Sequence, residues 1–380
     1  MCPEPARPGS RRGAAGCRKA EDATVTPPAR DTEVGGPRFA NFEFRGIHPH
    51  LLFGTASDRY GGWLGQIYTR ARYEGRISRR SVKLGSRSFT GEFLPVESVV
   101  EYFEHFEVLE LDFTFYGLLQ NPDGSPSRTF HALSAYARHL PEDARVLLKV
   151  PQAVFARRLR RGGKVVENPQ YLDPVVFRRW FYEPACKLLS EKIAGFVFEQ
   201  EYQKSGDRPA PQQVAREFDA FFGSVPGDSR YHVELRTDAL LRPPVFDVLE
   251  ARGVGVVLSH WTWLPPLSVQ YERMAGRPFN RGRTCVLRLM TPRGVRYEDA
   301  YARTHPFDRI QEDMLDERML DDTVAIARDA LRRDMRVFVI VNNRSGGNAP
   351  LIVQRLALRF VSRHTSNSRR GGPGPGNRPG

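Results

Sequence analysis

Residues 108–115 read VLELDFTF, an apolar run in which acidic residues take alternate positions. In an extended strand, Leu109 and Leu111 lie on one face while Glu110 and Asp112 lie on the other. Strands of a parallel sheet that is covered on both faces are apolar along most of their length. The run therefore predicts a buried parallel strand that carries carboxylates on one face near its C-terminal end.

Seven similar runs occur along the chain, separated by segments whose apolar residues recur at every third or fourth position. The runs are LLFGTAS (51–57), ARVLLKVP (144–151), IAGFVFEQ (193–200), YHVELR (231–236), VGVVLSH (254–260), TCVLRLM (284–290) and RVFVIVNN (336–343). The helix-like segments include 96–106, 130–140, 175–189, 211–222 and 320–333. Eight strands that alternate with helices predict an α/β protein, a single (β/α)8 TIM barrel.

The composition agrees with a folded protein that has additional terminal segments. The chain has 380 residues, 40% of them hydrophobic, and a formal net charge of +13. Residues 1–40 are basic and rich in proline, and 363–380 are rich in glycine, proline and arginine. Neither segment shows apolar periodicity. We expect disordered tails at 1–40 and 363–380 and a barrel domain at 41–362.

The cysteines and the hydropathy indicate a cytoplasmic protein without a membrane partner. The four cysteines are widely spaced and form no CxxC pair, which gives no support for a disulfide framework or a zinc module. No apolar run reaches about 18 residues, and the N-terminal residues lack the apolar core of a signal peptide. The Walker loop, the GxGxxG turn and the GxSxG elbow are also missing from the sequence.

Polar side chains gather where the predicted strands end. In TIM barrels the loops after the strands form the active site, so these side chains are expected on one rim. Strand alternation predicts that Glu110, Asp112 and Tyr116 share one face that points into the barrel, and that Glu234 and Arg236 share another. The candidate catalytic residues are Glu234, Lys149, Asp112 and Tyr116. The candidate substrate- or anion-binding residues are Arg236, Arg288, Gln200, Asn342 and Asn343.

Converging cations suit a small anionic or phosphate-bearing substrate, because guanidinium groups make charge-assisted hydrogen bonds to such ligands. Glu234 or Asp112 would act as the general base, and Lys149 or Tyr116 as the acid or electrostatic stabiliser. The alternative is a buried network of glutamates and arginines that only satisfies the barrel interior. Asn342 and Asn343 could equally cap the turn that follows them.

No cofactor and no dedicated metal site is predicted. His260 is the one histidine with obvious access at a strand end, and alone it is more typical of a packed residue than of a ligand. Weak Mg²⁺ binding through Glu110, Asp112 and Glu234 is left open.

Two basic loops predict a possible nucleic-acid interface. Loop 70–87 carries six arginines and a lysine, and loop 157–164 carries four arginines and a lysine. Both follow barrel strands, and Trp261 and Trp263 could stack a base nearby. A non-catalytic barrel that binds nucleic acid or another partner through these loops is thus the alternative function. Alternatively, a high arginine content throughout the chain would by itself account for the basic residues of these loops.

The order of the motifs resembles the YecE-like barrels, the domain of unknown function seventy-two. The resemblance spans about 50–362 and depends on motifs at the strand ends. These are Gly-Thr-Ala-Ser (54–57) with Trp63, Gly65 and Tyr68, the segment 110–116, Leu-Lys-Val-Pro (148–151), Gln200, Val-Glu-Leu-Arg (233–236), Leu-Arg-Leu (287–289) with Tyr297, and Asn-Asn (342–343) with Ala349. Asp112 stands where the family usually has asparagine. The resemblance implies a TIM barrel with a rim site, adds Trp63 to the substrate-binding candidates and supplies no established reaction. From the residues, we expect a hydrolase or lyase.

Overall fold

Thirteen strands are present among the residues that the structure, a computed structural model, describes, which are 37–276 and 278–367. They are β1 Leu51–Ala56, β2 Ser78–Leu84, β3 Arg87–Phe93, β4 Val108–Leu111, β5 Arg145–Lys149, β6 Arg158–Arg161, β7 Lys164–Glu167, β8 Ile193–Gln200, β9 Tyr231–Leu235, β10 Gly255–Val256, β11 Leu258–His260, β12 Thr284–Leu289 and β13 Arg336–Val341. Nine of them form one parallel sheet in the order β10-β9-β8-β5-β4-β1-β13-β12-β11.

The two ends of this sheet are halves of a single run. Strand β10 pairs with β9, and β11 pairs with β12. Between the halves, the amide of Val257 donates to the carbonyl of Val233. The sheet is therefore a nearly closed parallel barrel with eight strand positions, which confirms the predicted (β/α)8 fold.

Helices surround the barrel, since each apolar helical stripe can be buried only against the outer face of the sheet. The described helices are α1 Pro37–Ala40, α2 Val99–His105, α3 Arg128–Ala137, α4 Gln152–Phe155, α5 Pro174–Phe177, α6 Glu183–Leu189, α7 Pro211–Ser224, α8 Pro243–Arg252, α9 Leu267–Arg273, α10 Tyr297–Thr304, α11 Glu317–Arg332 and α12 Ala349–Asn367. A π-helical turn, Arg178–Tyr182, joins α5 to α6.

Alternation along the strands produces two separate apolar regions. Side chains that point outward pack against the helices. Side chains that point inward fill the barrel; they are Leu52, Ala56, Val108, Leu147, Val197, Val257, Val286, Met290, Phe338 and Ile340. Because the interior is filled with side chains, only the ends of the strands remain to build a site.

Each of the two predicted basic loops includes part of an antiparallel hairpin, and loop 70–87 begins with a 3-10 helix at Arg70–Tyr73. Strands β2 and β3 follow β1, and β6 and β7 follow β5. Both hairpins therefore extend from the C-terminal end of the barrel. The first hairpin contacts the segment after β12, where the ring of Phe89 lies 5.1 Å from that of Tyr301.

The predicted tails, 1–40 and 363–380, lie largely outside the described residues. Of their positions, 37–40 form helix α1 and 363–367 continue helix α12. Phe39 is buried, and its backbone carbonyl accepts a hydrogen bond from the side-chain Nε2 of Gln354. Within the described part of the chain, no helix has the length and apolar character needed to cross a membrane.

Candidate functional site

Three carboxylates and three cations meet at the C-terminal end of the barrel, which we call the mouth. They are Glu110 on β4, Lys149 on β5, Glu199 on β8, Glu234 on β9, Arg236 just after β9 and Arg288 on β12. We refer to these six residues as the mouth cluster. Glu110, Lys149, Glu199 and Arg288 each lie two residues beyond an interior residue of the same strand. On β9, Val233 and Leu235 pack in the outer core, so Glu234 and Arg236, which alternate with them, share the inward face.

The deeper half of the cluster is centred on Arg288, which is 2% exposed. Its Nη2 donates to Glu110 Oε1 at 2.7 Å, and its Nη1 donates to Glu234 Oε2. Both glutamates are fully buried. This half matches the alternative of a network that satisfies the barrel interior, and it offers no surface to a ligand.

The outer half is centred on Glu199, which retains some exposure, as does Lys149. Glu199 Oε2 accepts from Lys149 Nζ at 2.5 Å and from Arg236 Nη2 at 2.8 Å. Aromatic rings cover both cations. Lys149 Nζ lies 4.0 Å from the Phe115 ring centre, and the Arg236 guanidinium lies 4.6 Å from that of Trp261. A ligand that enters the mouth would meet this half first.

The two halves hold their carboxylates in different electrostatic environments. Burial raises the pKa of Glu110, and the opposing effects of Arg288 and Lys149 do not cancel this increase. Burial alone would also raise the pKa of Glu199, but Arg236 and Lys149 hold that pKa well below its ordinary value. Neighbouring carboxylates with pKa values moved in opposite directions are typical of acid–base sites.

Four exposed aromatic side chains lie on loops that follow the barrel strands; they are Tyr116, Tyr202, Trp263 and Tyr297. The ring centre of Tyr202 lies 5.8 Å from that of Trp263. The guanidinium of Arg344, just after β13, lies 4.3 Å from the ring centre of Tyr297. Rings arranged in this way can stack on a planar or sugar-like part of a ligand.

Arg344 differs from the cations of the mouth cluster because it has no carboxylate partner. Among the described residues, none of the ion pairs within 4.0 Å includes it, and its buried Nε has no hydrogen-bond partner. A partly buried guanidinium without a counterion is suited to bind an anion. Loops after the seventh and eighth strands, which carry Tyr297 and Arg344, frequently form phosphate sites in TIM barrels.

Two predicted catalytic residues lie outside the strand that was expected to hold them. Strand β4 ends at Leu111, and residues Asp112–Tyr116 form a 3-10 helix. The prediction that Glu110, Asp112 and Tyr116 share one strand face is therefore wrong beyond Glu110. Asp112 accepts from Ser57 Oγ at 2.6 Å, and Tyr116 is 71% exposed at the rim.

Four predicted substrate-binding residues occupy buried positions instead. Trp63 is fully buried, and its Nε1 donates to Asn343 Oδ1 at 3.0 Å. The same oxygen accepts from the amide of Ala349, at the start of α12. Asn342 Oδ1 accepts from the amide of Arg344, so the asparagines cap the turn, as the alternative interpretation predicted. Gln200 is fully buried and follows Glu199, on the opposite face of β8.

Sequence reasoning missed Glu199 and Arg344. The signal for Glu199 was present, because it shares strand parity with the interior residue Val197, two positions earlier. Arg344 directly follows the two predicted asparagines. No signal marked it as unpaired, because that property depends on residues distant in sequence.

His260 is buried, and burial lowers its pKa to about 4, so it is neutral at pH 7. Within the ranges 37–276 and 278–367, no group of three or more His, Cys, Asp or Glu side chains could hold a metal ion. Glu110 and Glu234, two of the three side chains considered for Mg²⁺, both bind Arg288.

The fold and this site define an α/β barrel with a cluster of buried charges and a rim guanidinium at its C-terminal end. The chain belongs to the family described as protein of unknown function DUF72, whose model matches residues 88–375, which confirms the resemblance seen in the sequence.

Two solved structures of DUF72 family proteins are similar to this chain. One, from Enterococcus faecalis, is 14% identical with a TM-score of 0.48; the match covers 81% of this chain and 95% of that one. The other, from Thermotoga maritima, is 16% identical with a TM-score of 0.46; the match covers 83% of this chain and 99% of that one. No curated protein matches the chain.

Proposed function

We propose that the mouth is the active site of a hydrolase or lyase that acts on a small phosphate-bearing substrate. The observation that carries this proposal is the guanidinium of Arg344, which has no carboxylate partner among the described residues, whereas the three cations of the mouth cluster are all paired. Its place after the last barrel strand supports a phosphate ligand in particular.

In this proposal, the outer half of the mouth cluster performs the proton transfers. Glu199 is ionised because Lys149 and Arg236 hold its pKa low, and it is more accessible than Glu234, the predicted base. Lys149, which donates to Glu199, is the candidate acid or electrostatic stabiliser. Glu110, Glu234 and Arg288 would position these groups from below.

The nucleic-acid alternative is less well supported by the two basic loops. Several of their basic side chains are already paired with carboxylates of this chain: Arg76 with Glu97, Arg79 with Glu92, and Arg158 with Glu167 and Asp207. These carboxylates offset part of the positive charge that a phosphate backbone would meet. A cytoplasmic location remains a prediction.

Binding and turnover of phosphate compounds test the proposal. We expect inorganic phosphate and small phosphomonoesters to raise the melting temperature of the full chain. Arg344→Ala should weaken their binding by roughly 10- to 100-fold, the equivalent of a lost charge-assisted hydrogen bond. Arg216, exposed on the outer helix α7, provides the matched control Arg216→Ala, which should bind as the wild type does.

For any phosphate compound that is turned over, Glu199→Gln should lower kcat by roughly 10²- to 10⁴-fold. Glu142→Gln, at an exposed position, is the control. Phosphate binding that is unchanged in Arg344→Ala, or turnover that is unchanged in Glu199→Gln, would disprove the assignment. Salt-dependent binding of oligonucleotides alone, unaffected by Arg344→Ala, would favour the non-catalytic alternative.

A further inference from the structure

A pocket lies beside the mouth, at the C-terminal ends of β1 and β4. It has a volume of about 130 Å³. Four of its eight lining residues are aromatic: Tyr60, Phe93, Phe113 and Tyr136. Its remaining lining is charged or polar and includes Asp58 and Asp112. None of the chemistry proposed above uses this pocket.

Asp58, one of the residues that line this pocket, has an unsatisfied carboxylate oxygen. The residue is 2% exposed, and its Oδ1 accepts from the hydroxyl of Tyr136 at 2.6 Å. Its Oδ2 is buried and has no hydrogen-bond partner among the described residues. A buried carboxylate oxygen without a donor is costly, so a ligand that supplies one would be bound favourably.

The charges of the lining are unbalanced in favour of a cation. Arg59 is the one basic side chain of the lining, against the two carboxylates Asp58 and Asp112. Arg59 is directed over the ring of Tyr136, 5.8 Å from its centre, and the described ion pairs do not include it. With both carboxylates ionised, one negative charge is in excess. Aromatic faces attract cations as well.

From these features we infer that the pocket binds a primary ammonium group of a small ligand. An ammonium offers three N–H donors and one positive charge, which match the free oxygen of Asp58, the excess charge and the aromatic walls. A hydroxyl group could donate one hydrogen bond but would leave the charge uncompensated. The volume of about 130 Å³ accommodates an aminoethyl-sized group.

The position of the pocket connects it to the mouth. Tyr60 forms part of its wall, and the ring centre of Tyr60 lies 4.9 Å from that of Trp63. Trp63 Nε1 in turn donates to Asn343, the residue before Arg344. Two contacts thus link the pocket to the segment that carries the unpaired guanidinium. Resting on the proposed function, this inference defines the substrate as a small molecule that carries both a phosphate and a primary amine.

The test compares ethylammonium with ethanol, which has the same size but no charge. Binding to the full chain would be measured at pH 7.5 by NMR titration. We expect saturable binding of ethylammonium and none of ethanol. Asp58→Asn should weaken ethylammonium binding by roughly 10-fold or more, as expected for a hydrogen bond to a charged group. Asp247→Asn, at an exposed position on α8, should have no effect.

A pH series adds a second measurement. Burial, opposed in part by Arg59, raises the pKa of Asp58 to about 6. Ethylammonium affinity should therefore rise between pH 5 and pH 7.5 in the wild type, as Asp58 loses its proton, and stay nearly constant in Asp58→Asn. Asp112→Asn removes the second carboxylate and should also weaken ethylammonium binding. This variant replaces Asp58→Asn in the test if Asp58→Asn does not fold.

Equal binding of ethanol and ethylammonium, or affinity that survives both substitutions, would overturn the inference. The two proposals fail separately. Inorganic phosphate binding tests Arg344 and should not respond to Asp58→Asn, whereas ethylammonium binding tests Asp58 and should not respond to Arg344→Ala. Phosphate binding without ethylammonium binding would support the proposed function but would overturn the inference that its substrate carries a primary amine.

Discussion

Arg288 is the side chain on which the buried charges of the barrel depend. It is the cation that hydrogen-bonds to both Glu110 and Glu234, which are fully buried. Removing one member of a buried charge network costs about 3–5 kcal/mol, because the remaining charges are left unpaired. We expect Arg288→Met to reduce the free energy of unfolding at pH 7 by this amount, measured in urea.

The loss should diminish toward pH 5, where protons can neutralise Glu110, whose pKa burial already raises. Arg216→Met, on the outer helix α7, provides the comparison and should change stability by less than about 0.5 kcal/mol. A loss below about 1 kcal/mol for Arg288→Met at pH 7 would show that the two glutamates do not need this cation.

At the scale of single residues, strand parity was the most reliable sequence signal for the site. It placed Glu110, Glu234 and Arg236 on the inward face, where the structure has them. It could not distinguish an accessible carboxylate from a buried one. Glu234 was therefore predicted to be the catalytic base, although Glu199 is the more exposed of the two. Exposure at the mouth depends on how far each strand extends, which a single strand sequence does not reveal.

At the scale of elements, the eight strand positions could be predicted and the ends of some strands could not. Strand β8, Ile193–Gln200, coincides with the predicted run, because its apolar residues continue to the polar end. Strand β4 stops at Leu111, although the alternating pattern continues to Phe115. There the hydroxyl of Thr114 donates to the carbonyls of Leu111 and Lys149, which stabilises a 3-10 turn that the pattern does not encode.

The pairing of β1 with β4 depends on the absence of a side chain at Gly54. Gly54 lies opposite Val108, and a Cβ at this position would lie 1.9 Å from the carbonyl oxygen of Val108. Gly54→Ala must therefore push the two strands apart, and we expect it to reduce the free energy of unfolding by about 3 kcal/mol.

The matched control is Gly206→Ala, in the loop after β8, where a Cβ would meet no atom within 4 Å. Urea unfolding of both variants makes the comparison. Equal stability of the two proteins would mean that β1 and β4 can separate without cost, contrary to the close approach seen in the barrel.

At the scale of the whole molecule, the barrel separates stability from function along its axis. Apolar side chains fill the interior below the mouth, whereas the charged groups collect at the C-terminal ends of the strands. His232 is an exception, since it is fully buried on β9, two residues before Glu234. Gly255 makes room for it, because a Cβ there would lie 2.5 Å from His232 Cδ2.

This buried histidine should make the stability of the whole barrel sensitive to acid. Burial lowers the pKa of His232 to about 4, whereas the unfolded chain would show an ordinary value of 6.5. Below pH 6.5 the unfolded state therefore binds a proton that the native state does not, and stability falls until the pH reaches about 4. Between pH 7 and pH 4.5, this one group should account for a loss of about 2.5 kcal/mol.

Asp58 has a raised pKa and acts in the opposite direction over much of this range, so the test compares variants instead of absolute values. The difference in unfolding free energy between pH 7 and pH 4.5 should shrink by about 2.5 kcal/mol in His232→Gln. It should not change in His131→Gln, at an exposed position on α3. An undiminished pH dependence in His232→Gln would mean that the native barrel can protonate His232, and that this part of its interior admits a charge.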